Sequence, residues 1–269
     1  MNKPSYVNGE KMTLSRSELR DIVDLALWAG QMLLRCGAES QRVEETVHRL
    51  GTGLGCDWID ILVSPNVLII TTTSGEEFRT KVRRVVQMGV DMAVVAAVND
   101  LKFRLEAGEL DRFSLRAELE RIDNLPQQYN RWLVVGMVGL ACASFSRLFD
   151  GDWAVFGVTL VAASLAMTVR QELGRRHFNS FLLVIATAFV AGLIASLATV
   201  WHLSDQPQTA LAASVLLLVP GVPLINAMED LIKGHMVTGI VRAIVGGLIS
   251  LSIALGLLLA MSLMGVSGL

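Results

Sequence analysis

Cysteine is scarce in this sequence, and the three that are present, Cys36, Cys56 and Cys142, lie far apart without a C-x-x-C pair. An odd number of cysteines at such spacings argues against a disulfide framework and against a structural zinc site. The four histidines are also scattered and form no pattern of metal ligands. The sequence therefore predicts reduced thiols, no metal and no other cofactor.

Positive charge is not in excess either, since 23 Lys and Arg residues stand against 25 Asp and Glu residues, with a net charge of −2. A basic surface for nucleic acid is therefore not expected. The first thirty residues lack an apolar run followed by a small-residue cleavage site, which argues against a secretory signal peptide. We therefore expect the front of the chain to stay in the cytoplasm, without nucleic acid as a partner.

Charged side chains become rare after residue 131, because the first 131 residues hold 36 of the 48 in the chain. With 52% hydrophobic residues and a mean hydropathy of +0.52, the chain is too apolar for an ordinary soluble globule of 269 residues. The predicted fold class is an α-helical membrane protein with an N-terminal soluble α+β domain. We place a cytoplasmic domain at residues 1–128 and a transmembrane domain at residues 129–269.

The front domain shows both helical and strand periodicity. Apolar residues recur at helical spacing in 15–35, and Ser40 is a candidate N-cap for a second helix. From Trp58 the period changes to two, which predicts a three-stranded antiparallel meander with one wet face. Its third strand carries Phe78 and Val82 on one side and Arg79, Lys81 and Arg83 on the other. Two further helices are predicted over 91–107 and 114–124.

Ser40, His48 and Asp57 supply the residue types of a hydrolase triad. Nothing in their spacing predicts that they converge, and a G-x-S-x-G nucleophile elbow is missing from the sequence. The sequence therefore does not predict an enzyme. A membrane-anchored hydrolase and a membrane-anchored sensor are kept as alternatives.

The second half offers five apolar segments of about the length that crosses a bilayer. The loop that follows the second segment contains Arg170, Arg175 and Arg176, whereas the loops before and after it contain neither Lys nor Arg. The positive-inside rule then predicts a cytoplasmic N-terminus and an external C-terminus. The predicted spans are approximately 132–149, 153–169, 181–201, 209–225 and 237–264.

The fourth predicted span is interrupted by Pro220, Gly221 and Pro223, at a depth of roughly 17 Å from its outer end. Backbone groups freed by such a break need a partner in lipid. Pro223 suits the first position of a new helix, whose amides could bind an anion. That helix carries Asn226, Glu229 and Asp230, and Arg242 lies near the end of the next span. These residues predict a transport site for a small anionic or zwitterionic metabolite.

A simpler interpretation of the same stretch also stands. The span would be kinked and would end in an amphipathic interfacial helix, with Glu229 and Lys233 paired at i, i+4. Arg242 would then extend its guanidinium to the headgroups. The residue pattern alone leaves both interpretations open.

Three stretches carry a resemblance to a known family: GAESQRVEETVHRLGTGLG, WLVVGMVGLACASFSRLF and VLLLVPGVPLINAMEDLIKGH. Together they resemble the threonine/serine exporter family, and most closely the YjjP-type subunits of its split, two-protein branch. The resemblance covers nearly the whole chain. It implies a cytoplasmic domain followed by five spans, with a second half supplied by the same chain or by a small YjjB-type membrane subunit.

The resemblance implies a secondary exporter in the bacterial inner membrane that works with the YjjB-type subunit in the lipid bilayer. Single-chain members imply threonine and serine as substrates, and the paired branch implies a small carboxylate, a dicarboxylate such as succinate. Export of threonine or serine is the alternative, and a higher oligomer is left open. No chemical role is attached to the residues that match the family motifs. These residues are Glu39, Ser40, Arg42 and Glu44 in the front domain, and Pro220, Gly221, Pro223, Asn226 and Asp230 in the membrane half.

Overall fold

The chain forms two compact units, each built from two separate stretches of sequence. Unit 1 comprises Met1–Pro126 and Val222–Ala243, and unit 2 comprises Gln127–Gly221 and Ile244–Leu269. Residues 222–243, which the sequence interpretation assigned to the transmembrane domain, therefore group with the front of the chain. The computed structural model describes residues 6–7, 10–11, 14–75, 77–86, 89–125, 129–176, 178–204 and 206–266.

Unit 1 begins its helical part with α1 (Arg16–Arg35) and α2 (Ser40–Gly53). Ser15 and Glu18 form a reciprocal capping box at the start of α1, which satisfies two backbone amides. The prediction that Ser40 caps α2 is wrong, because Glu39 occupies the N-cap with extended dihedrals and Ser40 is the first helical residue. The Ser40 backbone amide is therefore one of those that need a partner outside the helix.

The strands of unit 1 form two antiparallel sheets. A short pair joins β1 (Tyr6–Val7) to β2 (Glu10–Lys11). The predicted meander is confirmed in the order β3-β4-β5. Its strands are β3 (Trp58–Ser64), β4 (Val67–Ser74) and β5 (Glu77–Arg84).

The two sides of β5 have unexpected environments. The register pairs Arg83 with Leu68 and Lys81 with Ile70, and both of these β4 side chains are fully buried. The basic side chains of β5 consequently share the face that packs on α1, where Lys81 forms an ion pair with Asp24. Phe78 and Val82 lie on the opposite face and are 65% and 59% exposed. At β5, the solvent-exposed face of the meander is therefore the face that carries the apolar side chains Phe78 and Val82.

Two more helices complete the main part of unit 1, α3 (Met92–Glu106) and α4 (Arg112–Asp123). Each begins after an aspartate N-cap, Asp91 and Asp111, whose carboxylate accepts hydrogen bonds from first-turn amides. All four helices contribute to one apolar core with the inner face of β3 and β4. Its fully buried members include Leu33, Leu50, Leu68, Ile70, Val98 and Leu115.

Within the described residues, four helices are long and apolar enough to cross a membrane, judged by length and composition. They are α5 (Arg131–Leu148), α6 (Trp153–Arg175), α7 (Ser180–Val200) and α10 (Met236–Met264). The second runs six residues beyond the predicted end at 169. A bent pair, Gln208–Leu218 and Gly221–Ile232, raises the number to five if it counts as one span.

The bent pair contains the break that the sequence predicted. It consists of α8 (Gln208–Ser214), a 3₁₀ turn (Leu216–Leu218) and α9 (Gly221–Ile232), with a bend of 65°. The new helix begins at Gly221 and not at Pro223, so Pro223 is its third residue. Proline is tolerated there because first-turn amides have no intrahelical acceptor to lose.

Candidate functional site

Side chains of α9 and α10 contact the backbone of the connecting segment Gly37–Ser40, which joins α1 to α2 within unit 1. Asn226 Nδ2 donates to the Gly37 carbonyl at 2.7 Å. Arg242 Nη2 donates to the Ala38 carbonyl at 2.8 Å. The Ser40 amide donates to Asp230 Oδ1 at 2.9 Å. Three side chains from roughly 190 to 200 residues further along the chain therefore form hydrogen bonds with three of the four residues in this segment.

Asp230 and Arg242 form a buried ion pair at the centre of this arrangement. Arg242 Nη1 lies 2.8 Å from Asp230 Oδ2, and the two residues are 8% and 0% exposed. Each carboxylate oxygen of Asp230 thus accepts a hydrogen bond. Oδ2 accepts from the charged guanidinium of Arg242, and Oδ1 accepts from the Ser40 amide at the positive end of α2. Desolvation of two charges is costly unless such hydrogen bonds compensate it. The arrangement satisfies that condition.

The geometry around Asp230 is that of a carboxylate site at a helix start. Ser40 is the first residue of α2, so its amide points out of the helix and the helix dipole favours a negative charge there. Gly37 allows the preceding turn, because its φ of +89° is a conformation that side chains disfavour. In this structure an aspartate of the same unit occupies the site.

Two ion pairs and a contact between a histidine and a glutamate lie near the buried pair. Glu39 accepts from Arg42 Nε at 2.9 and 3.1 Å, and Lys233 Nζ lies 3.3 Å from Glu229 Oε1. His235 Nδ1 lies 3.6 Å from Glu44 Oε1. Burial raises the pKa of Glu44, His235 lowers it, and the charges of Asp60 and Asp230 raise it further. The pKa of Glu44 is therefore raised from its ordinary value.

The structure brings together residues that the sequence interpretation had treated as two separate signatures. Glu39, Ser40, Arg42 and Glu44 lie on or beside the start of α2, and Asn226, Asp230 and Arg242 contact the same region. Glu229 is partly exposed and is paired with Lys233. Pro223 is the third residue of α9, whereas Pro220 and Gly221 lie at the break and belong to unit 2.

The structure does not assemble the hydrolase alternative. Ser40 Oγ is buried and has no hydrogen-bond partner among the described residues, and His48 is exposed roughly two turns along α2. Asp57 Oδ2 accepts instead from the Gly75 amide at 3.0 Å. These three side chains therefore do not form the contacts of a nucleophile and its base.

Two contacts of the site were missed from the sequence. Thr238 Oγ1 donates to the Val63 carbonyl at 3.4 Å, which connects α10 to β3. His235, whose backbone amide donates to the Asp230 carbonyl oxygen at 2.8 Å, pairs with Glu44. The available signal was that Gly234 marks a tight turn between α9 and α10, and that His235 and Thr238 follow it within four residues.

The fold and the site are those of a mostly helical, multi-pass membrane protein. The part of the chain that the structure describes contains four candidate spans, or five with the bent pair, and a small sheet near the N-terminus. The chain belongs to the threonine/serine exporter family, since residues 24–264 match the model described as "Putative threonine/serine exporter". Within that family it is a YjjP-type member. Family membership indicates a transporter of the exporter type rather than an enzyme.

Curated relatives give the comparison more detail. The chain is 39% identical over 258 residues to the "Probable succinate transporter subunit YjjP" of Klebsiella aerogenes, covering 96% of this chain and 99% of the relative. It is 37% identical over 259 residues to the protein of the same name in Escherichia coli, covering 95% and 99%. The "Threonine/serine exporter" of Corynebacterium glutamicum is 23% identical over 235 residues, covering 84% and 48%. No solved structure matches the chain.

Proposed function

We propose that this chain is one subunit of a secondary exporter that moves a small carboxylate, a dicarboxylate such as succinate, across the bacterial inner membrane. Two relatives that match almost the whole chain are named succinate transporter subunits, and the word subunit implies a partner. The proposed partner is a second small membrane protein of the YjjB type. Threonine or serine export is the competing proposal, supported by the family description and the more distant relatives.

The observation that carries the proposal is the buried Asp230–Arg242 pair. Arg242 lies in the second turn of α10, a candidate span, and Asp230 lies on the helix that follows the break. Ionisable residues in such segments are expensive and usually mark a pathway or a moving element. The proposed transport element comprises Pro220, Gly221, Pro223, Asn226, Glu229, Asp230 and Arg242, with Glu39, Ser40, Arg42 and Glu44 as its counterpart in the front domain.

The proposed orientation follows from the arginines near the end of α6. Arg170, Arg175 and Arg176 put the loop after α6 on the cytoplasmic side by the positive-inside rule. The front domain, proposed as residues 1–128, is then cytoplasmic, and the C-terminus lies outside. Reporter fusions at the loop after α6 and at the C-terminus should report opposite sides.

Efflux measurements test the proposal in cells that lack their own exporter of this family. Cells expressing this chain with the YjjB-type subunit should release succinate, cells expressing either protein alone should not, and a protonophore should abolish release. Threonine and serine are measured in parallel. Preferential release of either amino acid would favour the competing substrate, and full activity of this chain alone would refute the pairing.

One substitution connects the efflux assay to the site. Asp230→Asn removes the negative charge that compensates buried Arg242, and we expect it to reduce succinate release at least tenfold at equal expression. Asp100→Asn, on the exposed side of α3, is the matched control and should leave release unchanged. Equal succinate release by both variants would show that the charge of Asp230 is not required for transport.

A further inference from the structure

Unit 2 contains a cavity of about 320 Å³ between α5, α6 and the 3₁₀ turn before the break. Its wall is almost wholly apolar, and Arg170 is the charged residue among those that line it. The volume lies at the lower end of the range of roughly 300–1,000 Å³ that small-molecule sites occupy. The lining residues that matter below are Ala141, Cys142, Phe145, Met167, Arg170 and Leu217.

The guanidinium of Arg170 is only partly satisfied. Its one hydrogen bond within the described residues runs from Nη1 to the Leu217 carbonyl, at 2.8 Å. Neither Asp nor Glu of the described residues lies within 4 Å of it, whereas Arg131 and Arg176 of the same unit both face Glu172. Since an arginine carries five N–H donors in a planar fork, most of its donors remain available. A positive charge in an apolar wall therefore lacks a counter-charge from the described residues.

The break in the chain explains why Arg170 reaches Leu217. In a continuous α-helix the Leu217 carbonyl would accept from the amide of residue 221. Here the Gly221 amide donates to the Val219 carbonyl at 2.9 Å, so the Leu217 carbonyl is released. Arg170 supplies the missing donor. The same guanidinium thus faces the cavity and stabilises the backbone immediately before the break.

We propose that this cavity binds a carboxylate group of a small organic acid, with Arg170 as its anchor. Planar carboxylates match the guanidinium fork, and the pairing is strongest where water is excluded. The apolar wall would contact the carbon chain of the acid. The proposal relies on the proposed function only for the choice of substrate class, and one guanidinium accounts for one carboxylate.

The site has a consequence for the break itself. A bound carboxylate and the Leu217 carbonyl share one guanidinium, so each hydrogen bond affects the geometry available to the other. Occupancy of the cavity is therefore linked to the conformation of the 3₁₀ turn. A bound acid should slow hydrogen exchange in residues 215–221, which a ligand bound elsewhere in unit 2 would not do.

Equilibrium binding of labelled succinate to the full chain in phosphatidylcholine nanodiscs tests the proposal. Wild type should bind saturably, with butyrate as a competitor, and Arg170→Met should weaken binding at least tenfold. Arg147→Met is the matched control, since Arg147 lies in the same unit and donates to the Gly151 carbonyl at 2.6 Å. That control should bind within twofold of wild type.

A second variant keeps the test decisive if Arg170→Met fails to fold. Ala141→Leu fills the cavity without removing the charge, and it should also weaken binding at least tenfold. Unchanged binding in either folded variant would overturn the proposal, as would a wild-type chain that binds neither acid.

Further comparisons distinguish a lipid headgroup from a free acid as the ligand, and the Arg170 site from the proposed export function. Protection of residues 215–221 by phosphatidylglycerol nanodiscs but not by succinate would overturn the proposal in favour of a lipid headgroup. Succinate export that persists with unchanged binding by Arg170→Met would refute the site and leave the proposed function standing. Arg170-dependent acid binding without any export by the two-subunit system would refute the function and leave the site.

Discussion

Replacement of Asp230 by alanine tests whether the buried carboxylate holds the start of α2. Amides in the first turn of a helix have no intrahelical acceptor, so they normally exchange fast with solvent. The Ser40 amide is an exception in this chain, because it donates to Asp230 Oδ1 at 2.9 Å and is fully buried. We therefore expect the Ser40 amide to be protected in wild type and to lose that protection in Asp230→Ala.

The expected magnitude follows from the geometry of the pair. A hydrogen bond to a charged group contributes roughly 1.5–3 kcal/mol, which corresponds to exchange that is about 10- to 150-fold faster. The global cost is larger, because Arg242 is 8% exposed and loses its counter-charge. Breaking a buried ion pair from one side costs roughly 3–5 kcal/mol. Asp230→Asn keeps an acceptor for Ser40 and should fall between wild type and Asp230→Ala.

Hydrogen-exchange mass spectrometry with fragmentation of the 37–43 peptide resolves the Ser40 amide. Amides around Leu115, in the core of unit 1, report any general loosening and serve as the internal reference. The double variant Asp230→Ala with Arg242→Met removes both charges, so it should be less destabilised than the sum of the single variants. Equal exchange of Ser40 in wild type and Asp230→Ala would refute the assigned contact.

Three further predictions can be checked by thermal unfolding of the solubilised chain. Gly256→Ala should lower the free energy of unfolding by about 1–3 kcal/mol, because the added Cβ would lie 2.6 Å from the Ile185 carbonyl oxygen. Gly247→Ala, on the same helix but with open space around it among the described residues, should be neutral or slightly stabilising. Burial raises the pKa of Glu44, so ionisation of this residue disfavours the folded state as the pH rises above 4.5. Glu44→Gln should therefore gain stability over wild type at pH 7, by less than about 1 kcal/mol at this half-buried position, and the gain should vanish near pH 4. Gly37→Ala should cost about 1–2 kcal/mol, since a φ of +89° strains any side chain.

Local patterns were sufficient for most of the secondary structure. The helical spacing over 15–35, the period-two runs after Trp58 and the long apolar segments each depend on neighbours within one element, and the structure follows them. The burial of β5 was not predictable in that way. Its inner side is decided by the register with β4, which places Lys81 and Arg83 beside Ile70 and Leu68. A strand pattern taken alone cannot show which of its sides faces a helix.

Close helix packing shows the same limitation. The sequence offers many glycines in the apolar segments, and nothing local distinguishes Gly247 from Gly256. The difference is that α7 passes Gly256 at a distance that leaves no room for a side chain. That contact joins residues about 70 positions apart, and it depends on the packing of complete helices.

The candidate site contains two helix starts to which the same physical rule applies. The sequence interpretation placed an anion site at the helix that follows the break, because amides and the dipole favour negative charge at a helix start. In the structure the start of α2 holds the carboxylate of Asp230, which comes from a distant part of the chain. The interpretation placed Asp230 in the predicted transport site and Ser40 at a cap, and their sequence separation of 190 residues hid the contact between them. Because Arg242 and the Ser40 amide each donate a hydrogen bond to this carboxylate, a transported acid that took over these two hydrogen bonds would displace Asp230. The guanidinium of Arg170, which has no acidic partner among the described residues, requires no such displacement, and this difference makes it the stronger candidate for first contact with the substrate.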